Sequence, residues 1–286
     1  MTFQDILTMI LNGLSQGGVY ALIALGYTMV YGIAKMLNFA HGDIIMVGGY
    51  AIYVVIAEFS MPLLAISFAV VFCAIIGVLM EKLAYKPLRS ASPLAVLITA
   101  IGVSYLLQSL GLIIFKSTPK MLILFPNLSA TQKTVITLVA ALIIMGLLTI
   151  FIQLTKTGKA MRAVSEDRGA AYLMGIDVSK IISITFAIGS ILAAVASLFY
   201  ILKTPQVTYT MGSMPGIKAF TAAVIGGIGS IPGAMVGGML LGMIEVICNS
   251  IPVLQPYTIA IEFLLLIIIL LVRPIGLLGK VKVEKV

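Results

Sequence analysis

The side chains able to do chemistry are few, and most stand inside apolar runs. His41 is two residues from Asp43 in the stretch Asn38-Phe-Ala-His-Gly-Asp43, which is polar and glycine-bearing between two apolar walls. Such a pair could relay a proton, but no serine or cysteine motif accompanies it, so nucleophilic catalysis lacks a partner set. The favoured role for His41 is structural, bonding irregular backbone nearby, and Asn38 has the same reading. The functional alternative is that both line a solute path. Glu245 and Glu262 also lie in apolar runs, where an acid is costly and a functional suspect by default. They motivate a secondary carrier driven by protons or sodium. Pairing of each with a basic or hydroxyl neighbour within a bundle is the preferred reading. Cys73 and Cys248 read as buried free thiols, because no spaced Cys/His set exists and a single His is too few for a metal cage. The string Thr157-Gly-Lys-Ala160 lacks the first glycine and the final hydroxyl of a phosphate-binding loop. A passive channel would need a repeated filter sequence, and none is visible. A membrane enzyme has no nucleophile–base pair or metal set to support it.

The elements that must hold these residues are helices in lipid. Of the 286 residues, 61% are hydrophobic and 10% charged, against about a quarter charged in ordinary soluble domains. A water-soluble globule of this size could not hide so much apolar side chain. A helix needs about 20 residues to cross about 30 Å of hydrocarbon. Runs of that kind occupy Ile6 to Tyr31, Gly42 to Phe59, Pro62 to Met80, Pro93 to Phe115, Val135 to Leu154, Ile181 to Leu202 and Tyr257 to Val272. An eighth region, Pro215 to Ser250, is broken by Gly226-Gly-Ile-Gly-Ser-Ile-Pro232. Its halves are expected to be at or below the span minimum of about 17 residues. Broken helices are tolerated at membrane depth only when buried in protein or lining a wet cavity. Gly226, Gly227 and Gly229 therefore join Asn38, His41, Gly42 and Asp43 as candidates for a translocation path. The expected fold is an all-α polytopic transmembrane bundle of about eight or nine membrane segments, some broken, forming one domain over residues 1–286. The start lacks a basic region before its apolar run, so that run is expected to stay as a span. Trp is absent, leaving 11 Tyr to supply any aromatic belt.

The net charge of +8 would suggest nucleic acid in a soluble protein. Here the basic residues sit in loops between apolar runs, which indicates membrane orientation and no nucleic-acid partner. Lys35, Lys82, Lys86, Arg89, Lys156, Lys159, Arg162, Arg168, Lys180, Arg273, Lys280, Lys282 and Lys285 fall in one set of loops, and Lys116, Lys120, Lys133, Lys203 and Lys218 in the other. The positive-inside rule assigns the richer set to the cytoplasm, the N-terminus to the outside and the C-terminus to the inside. That parity needs an odd number of crossings, so Pro215 to Ser250 must cross twice or return to its starting side. Gly13 and Gly17, Gly233 and Gly237, and Gly238 and Gly242 are each four apart. The spacing clears a helix face for another backbone, read as tight packing within the bundle in preference to a dimer seam.

The connection 155–180 is the longest and most charged. Within it, Ser165 or Asp167 can cap a helix start and Gly175 suits the residue beyond its end. The enclosed helix has about two turns, marginal alone in water. Ala170, Leu173 and Met174 share a face. A helix so short with an apolar face is held by docking, either on its own spans or into a cytoplasmic partner, and the residues alone leave both open.

The run Arg162-Ala-Val-Ser-Glu-Asp-Arg-Gly-Ala-Ala-Tyr-Leu-Met-Gly-Ile176 resembles the coupling segment of bacterial ABC importer permeases of the branched-chain amino acid family. Asn38 to Asp43, followed by Met46 and Gly48-Gly-Tyr50, resembles that family's N-terminal signature, and Lys218 to Gly238 its C-terminal one. The closing Val283-Glu-Lys-Val286 matches as well, and the resemblance covers nearly the whole chain. It implies a permease subunit in the bacterial inner membrane carrying leucine, isoleucine and valine, although related permeases carry urea and short amides. It implies a second homologous permease subunit, two cytoplasmic ATPase subunits and an extracytoplasmic solute-binding protein as partners. This chain would hold no cofactor, ATP being hydrolysed by the partners. Arg162, Glu166, Asp167, Ala170, Ala171, Leu173, Met174 and Gly175 would form the ATPase-coupling surface.

Overall fold

The structure, a computed structural model, describes residues 3–279. The chain is helical almost throughout. In order the helices are α1 (Phe3–Ala34), α2 (His41–Phe59), α3 (Pro62–Met80), α4 (Pro93–Phe115), α5 (Ala130–Leu154), α6 (Lys156–Glu166), α7 (Arg168–Leu173), α8 (Val178–Lys203), α9 (Ser213–Gly226), α10 (Ile231–Ser250) and α11 (Thr258–Val272). A π-helical turn, Glu81–Tyr85, continues α3. Two short strands, β1 (Lys120–Met121) and β2 (Gln206–Val207), pair antiparallel. Among the described residues, eight helices are long and apolar enough to cross a membrane. The expected polytopic bundle is observed.

α1 is the axis of the bundle, with 89% of its most apolar window buried, whereas α4 and α11 bury only 11% of theirs and turn apolar side chains outward. That inversion is what a lipid solvent allows, since nothing forces Leu and Ile inward. The glycines explain how α1 is enclosed. A Cβ on Gly17 would come within 2.6 Å of the Met239 backbone, and one on Gly242 within 2.1 Å of Gly17 N. The four-residue spacing thus serves packing inside the chain, where α10 lies backbone to backbone on α1.

Two interruptions shape the interior. After α1 ends at Ala34, residues 35–40 turn back into the bundle, and His41, the first residue of α2, meets α1 at Gly26. That is roughly 12 Å back along α1 at 1.5 Å per residue. The second interruption enters from the opposite end. Beyond the β1–β2 pair, residues 208–212 descend to α9, whose N-terminal turn touches the start of α2: Gly42 faces Gly212 and Gly216 at backbone distance. The 14 residues of α9 reach about 21 Å, so the descending segment and the half-helix together make one traverse. The turn 227–230 then returns the chain through α10. With 20 residues, α10 is a full crossing, longer than the sequence reading of two short halves. Gly227 and Gly229 have φ of +107° and +92°, which is why the chain can reverse there only with glycine.

The eight apolar helices plus this ninth traverse leave the described chain beginning and ending at opposite ends of the bundle, the odd parity expected. The lysine-rich connections gather at one end, where Arg89 donates to Ser179 (3.1 Å), Arg168 to the Ile33 carbonyl (3.0 Å) and Leu277 N–H to the Ile225 carbonyl (2.8 Å). Lys116, Lys120 and Lys133 flank the β1–β2 end. Lys218 is corrected: it is a buried residue of α9, not a loop charge. Lys280, Lys282, Lys285 and the closing Val283 to Val286 lie outside the described residues. In the 155–180 connection, α6 is an element the sequence reading did not separate. Thr155 caps it by accepting from Gly158 N–H, and Gly158, Met161 and Val164 face inward at intervals of one turn. Replacing Gly242 with Leu should destabilise the purified protein in detergent by more than about 2 kcal/mol through overpacking. Gly146→Leu, where a side chain meets nothing within 4 Å, should leave the thermal unfolding midpoint unchanged.

Candidate functional site

The coupling candidates form a projection at the lysine-rich end. Asp167 opens α7: its Oδ1 accepts from Gly169 N–H (2.7 Å) and Ala170 N–H (3.0 Å). Ser165, the other cap candidate, instead donates to the Arg162 carbonyl within α6. Gly175, at φ +81°, closes the helix: Ile176 N–H reaches the Ala171 carbonyl (3.0 Å) and Gly175 N–H that of Tyr172 (2.9 Å), the double bond pattern of a Schellman end. A six-residue helix is thereby sealed at both termini. Ala171 is buried against the body, while Tyr172, Leu173 and Met174 are 72%, 85% and 82% exposed. The apolar face that includes Ala170 turns away from the spans. Of the two docking readings open in the sequence, packing on its own spans is set aside for this face. Glu166 is exposed beside it. Arg162 is otherwise engaged, donating to the Gln153 carbonyl at the end of α5 (3.2 Å), a favourable place for a cation.

Arg168, absent from the sequence candidates, links this projection to the body through the Ile33 carbonyl in the last turn of α1. Partial burial, with the charge of Arg89 nearby, lowers its pKa from the ordinary value; a guanidinium stays charged regardless. Arg89 forms an ion pair with the fully buried Glu81. Glu81 Oε2 also accepts from Ser183 Oγ (2.7 Å) in α8, so this buried acid is both paired and hydrogen-bonded.

The second constellation is the junction where α2 and α9 begin. Gln108 of α4 spans it: its amide donates to Asp43 Oδ1 (2.9 Å), Ser213 Oγ (3.3 Å) and Ser104 Oγ (3.3 Å). Asp43 sits in the first turn of α2, where the helix dipole favours a carboxylate. Asn38 Oδ1 accepts from Tyr85 OH (2.7 Å). His41 is wedged between α1 and α8, near Gly26 and Gly189, with the Tyr27 ring edge-on at 4.7 Å. Neither contact is the bond to irregular backbone expected from the sequence, and Asn38 Nδ2 and His41 Nε2 are buried without a hydrogen-bond partner among the described residues. Beside Asn38 lies a cavity of about 10 Å³, bordered by Tyr27, Tyr31, Phe220 and Ile228, room for about one water. Gly226 and Gly227 are grouped apart from His41, Gly42 and Asp43: Gly226 packs on Gly233 and Gly227 on Gly279, while Gly229 approaches Gly32.

The acids in apolar runs are paired, as preferred from sequence. Lys218 Nζ bonds Glu245 Oε1 (2.8 Å) and Glu262 Oε1 (3.1 Å). Lys203 donates to Gln16 (2.7 Å) close by. Cys73 and Cys248 are buried free thiols.

Residues 9–270 match the family model described as branched-chain amino acid transport system / permease component. The chain belongs to this family. It is 42% identical to the high-affinity branched-chain amino acid transport system permease protein LivH of Escherichia coli K12, over 99% of each chain. It is 40% identical to permease protein BraD of Pseudomonas aeruginosa over 98% of each. A probable branched-chain amino acid transport permease of Methanocaldococcus jannaschii is 31% identical over 95% of this chain and 92% of that one. No solved structure matches.

The interior ions carry a stability test. Lys218→Met leaves the buried Glu262 and the half-buried Glu245 without their cation and should cost about 3–5 kcal/mol, seen as a lower unfolding midpoint in detergent. Adding Glu245→Gln and Glu262→Gln to that variant should restore most of the loss.

Proposed function

We propose that this chain is the transmembrane permease subunit of an ATP-binding-cassette importer that carries leucine, isoleucine and valine across the bacterial inner membrane. The observation that carries the reading is α7: a two-turn helix, capped at both ends, that holds Leu173 and Met174 out from the lysine-rich end. An apolar tip displayed there is suited to a cytoplasmic protein partner, and family membership indicates that the partner is an ATPase. The N-terminus lies outside and the C-terminus in the cytoplasm, following the distribution of Lys and Arg.

The chain acts as one permease domain beside a second, homologous permease subunit. Two ATPase subunits bind below the pair, and the one beneath this chain docks on the surface formed by Glu166, Asp167, Ala170, Leu173, Met174 and Gly175, with Arg162 and Ala171 fixing that surface to the body. A solute-binding protein delivers amino acid from outside. ATP is hydrolysed by the partners, and this chain contributes no cofactor and no chemical step. Closure of the ATPases pushes α7, and rigid movement of the spans opens the path on alternate sides. Asn38, His41, Gly42, Asp43, Gly226, Gly227 and Gly229 set the shape of the interrupted helices that border the path. Pairing of Glu245 and Glu262 with Lys218 supports the importer over an ion-driven carrier, because each acid has a neutralising partner within the bundle.

In proteoliposomes holding the purified complex and the binding protein, radiolabelled leucine should accumulate with ATP inside the compartment that holds the ATPases. Uptake should stop when hydrolysis is blocked. Uptake on an ion gradient alone would sink the reading, and preference for urea or a short amide would replace its substrate. Leu173→Glu should reduce uptake by about tenfold or more, since a charge forced into an apolar interface is poorly tolerated. Gly175→Val should act in the same direction, because φ +81° excludes a β-branched residue. Both variants should insert normally, as judged by membrane yield.

A further inference from the structure

The links between the coupling helix and the membrane interior form two separate chains that end on one short segment. The first is direct. Arg168, the opening residue of α7, donates to the Ile33 carbonyl (3.0 Å), one of the end-of-helix acceptors that no intrahelical donor satisfies. The second runs through α8, which follows α7 after four residues. Ser179 accepts from Arg89 (3.1 Å) and Ser183 donates to Glu81 (2.7 Å). Arg89 and Glu81 are themselves paired. Glu81 opens the π-helical turn that ends at Tyr85, and Tyr85 OH donates to Asn38 Oδ1 (2.7 Å). Ile33 and Asn38 flank the segment that carries the chain back into the bundle to start α2.

From this arrangement we infer that Arg168 and Tyr85 are positioning residues of transport, which pass the displacement of the coupling helix to residues 33–38 and so to the start of α2. The inference rests on the importer reading above and names the route inside this chain. Neither residue belongs to the exposed tip: Tyr85 is buried and Arg168 is half-buried. The Glu81 carboxylate, 0% exposed, is held from α4's approach (Arg89) and from α8 (Ser183) at once, so it cannot follow one without straining the other bond. Tyr85 is likewise buried, with Phe186 of α8 at 5.3 Å between ring centroids. Groups fixed on all sides transmit movement where exposed side chains would absorb it.

The test uses the complete complex, reconstituted with the binding protein, and reads leucine transported per ATP hydrolysed. Arg168→Met removes the donor, Arg168→Lys keeps a cation able to reach the carbonyl, and Tyr85→Phe removes a single oxygen. Arg168→Met should keep ATP hydrolysis within about twofold of the parent while leucine per ATP falls about tenfold, the scale of one charge-assisted hydrogen bond. Arg168→Lys should recover most of the ratio, Tyr85→Phe should lower it, and the double variant should fall below either single one. An unchanged ratio in both Arg168→Met and Tyr85→Phe, with ATP-dependent uptake by the parent complex, overturns the relay and leaves the importer reading standing. Loss of the ATPase subunits from Arg168→Met that Arg168→Lys does not restore also overturns it, since the residue would then serve docking. If Arg168→Met fails to insert, Tyr85→Phe decides, because it leaves the core volume almost unaltered. Uptake by the parent complex without ATP would refute the importer reading itself.

Discussion

A peptide group that leaves the helix inside hydrocarbon has no water to bond and must be surrounded by protein. This chain does so twice, at residues 35–40 and 208–212, and much of the architecture follows. The segments enter from opposite ends and meet, so one protein interior shelters both. α1 supplies the wall for that interior, which is why it is the most enclosed helix and why its partner α10 must approach it through glycine. The helices with no such duty, α4 and α11, can face outward with Leu and Ile exposed to lipid or to another subunit.

Ionic groups in the interior obey the same economy of solvent. Lys218 lies between two acids and Glu81 bonds both Arg89 and Ser183. Each group would be costly alone, and each is held by partners from two separate parts of the chain. The ion clusters therefore fix relative helix positions more than they add stability, since hydrophobic replacements of whole clusters are often neutral. α9 illustrates the point. Too short to span the core by itself, it is tied by Lys218 to α10 and α11, and its last carbonyls accept from Leu277 and Leu278.

Much of this was legible in the residues. Apolar runs of membrane length identified the spans, and Gly226 to Pro232 identified the break, because glycine with positive φ leaves a compositional trace. Asp167 and Gly175 marked the ends of α7 for the same kind of local reason. What escaped notice depends on long-range pairing. Lys218 looked like a loop charge because its partners are 27 and 44 residues away, and single-residue spacing carries no record of that distance. Gln108 stood in an unremarkable apolar helix, and Arg168 in a basic loop, where any Arg reads as solvated. α6 was hidden by its own exposed face: Lys156, Lys159 and Arg162 outweigh the inward Met161 and Val164 when only composition is read. The path candidates were legible as two irregular places, and three dimensions keep them apart, with Gly226 and Gly227 belonging to the α9–α10 turn and packing on Gly233 and Gly279.

The junction of α2 and α9 also shows how an interior site can answer to an outer surface. Both helices begin there, each after a short hydrogen-bonded turn, Asn38 to Ala40 for α2 and Thr208 to Gly212 for α9. Gly42 and Gly212 permit backbone contact but supply no side chain to lock the register. The lock comes from Gln108, whose one amide nitrogen touches Asp43 of α2 and Ser213 of α9. Gln108 is carried by α4, a helix that is mostly exposed on its other faces. That nitrogen carries two hydrogens for three acceptors, so any shift of α4 against α2 and α9 changes which bonds it keeps. The junction is therefore held by one side chain from α4 and by backbone packing between glycines of α2 and α9, so its register depends on how α4 sits against both helix starts.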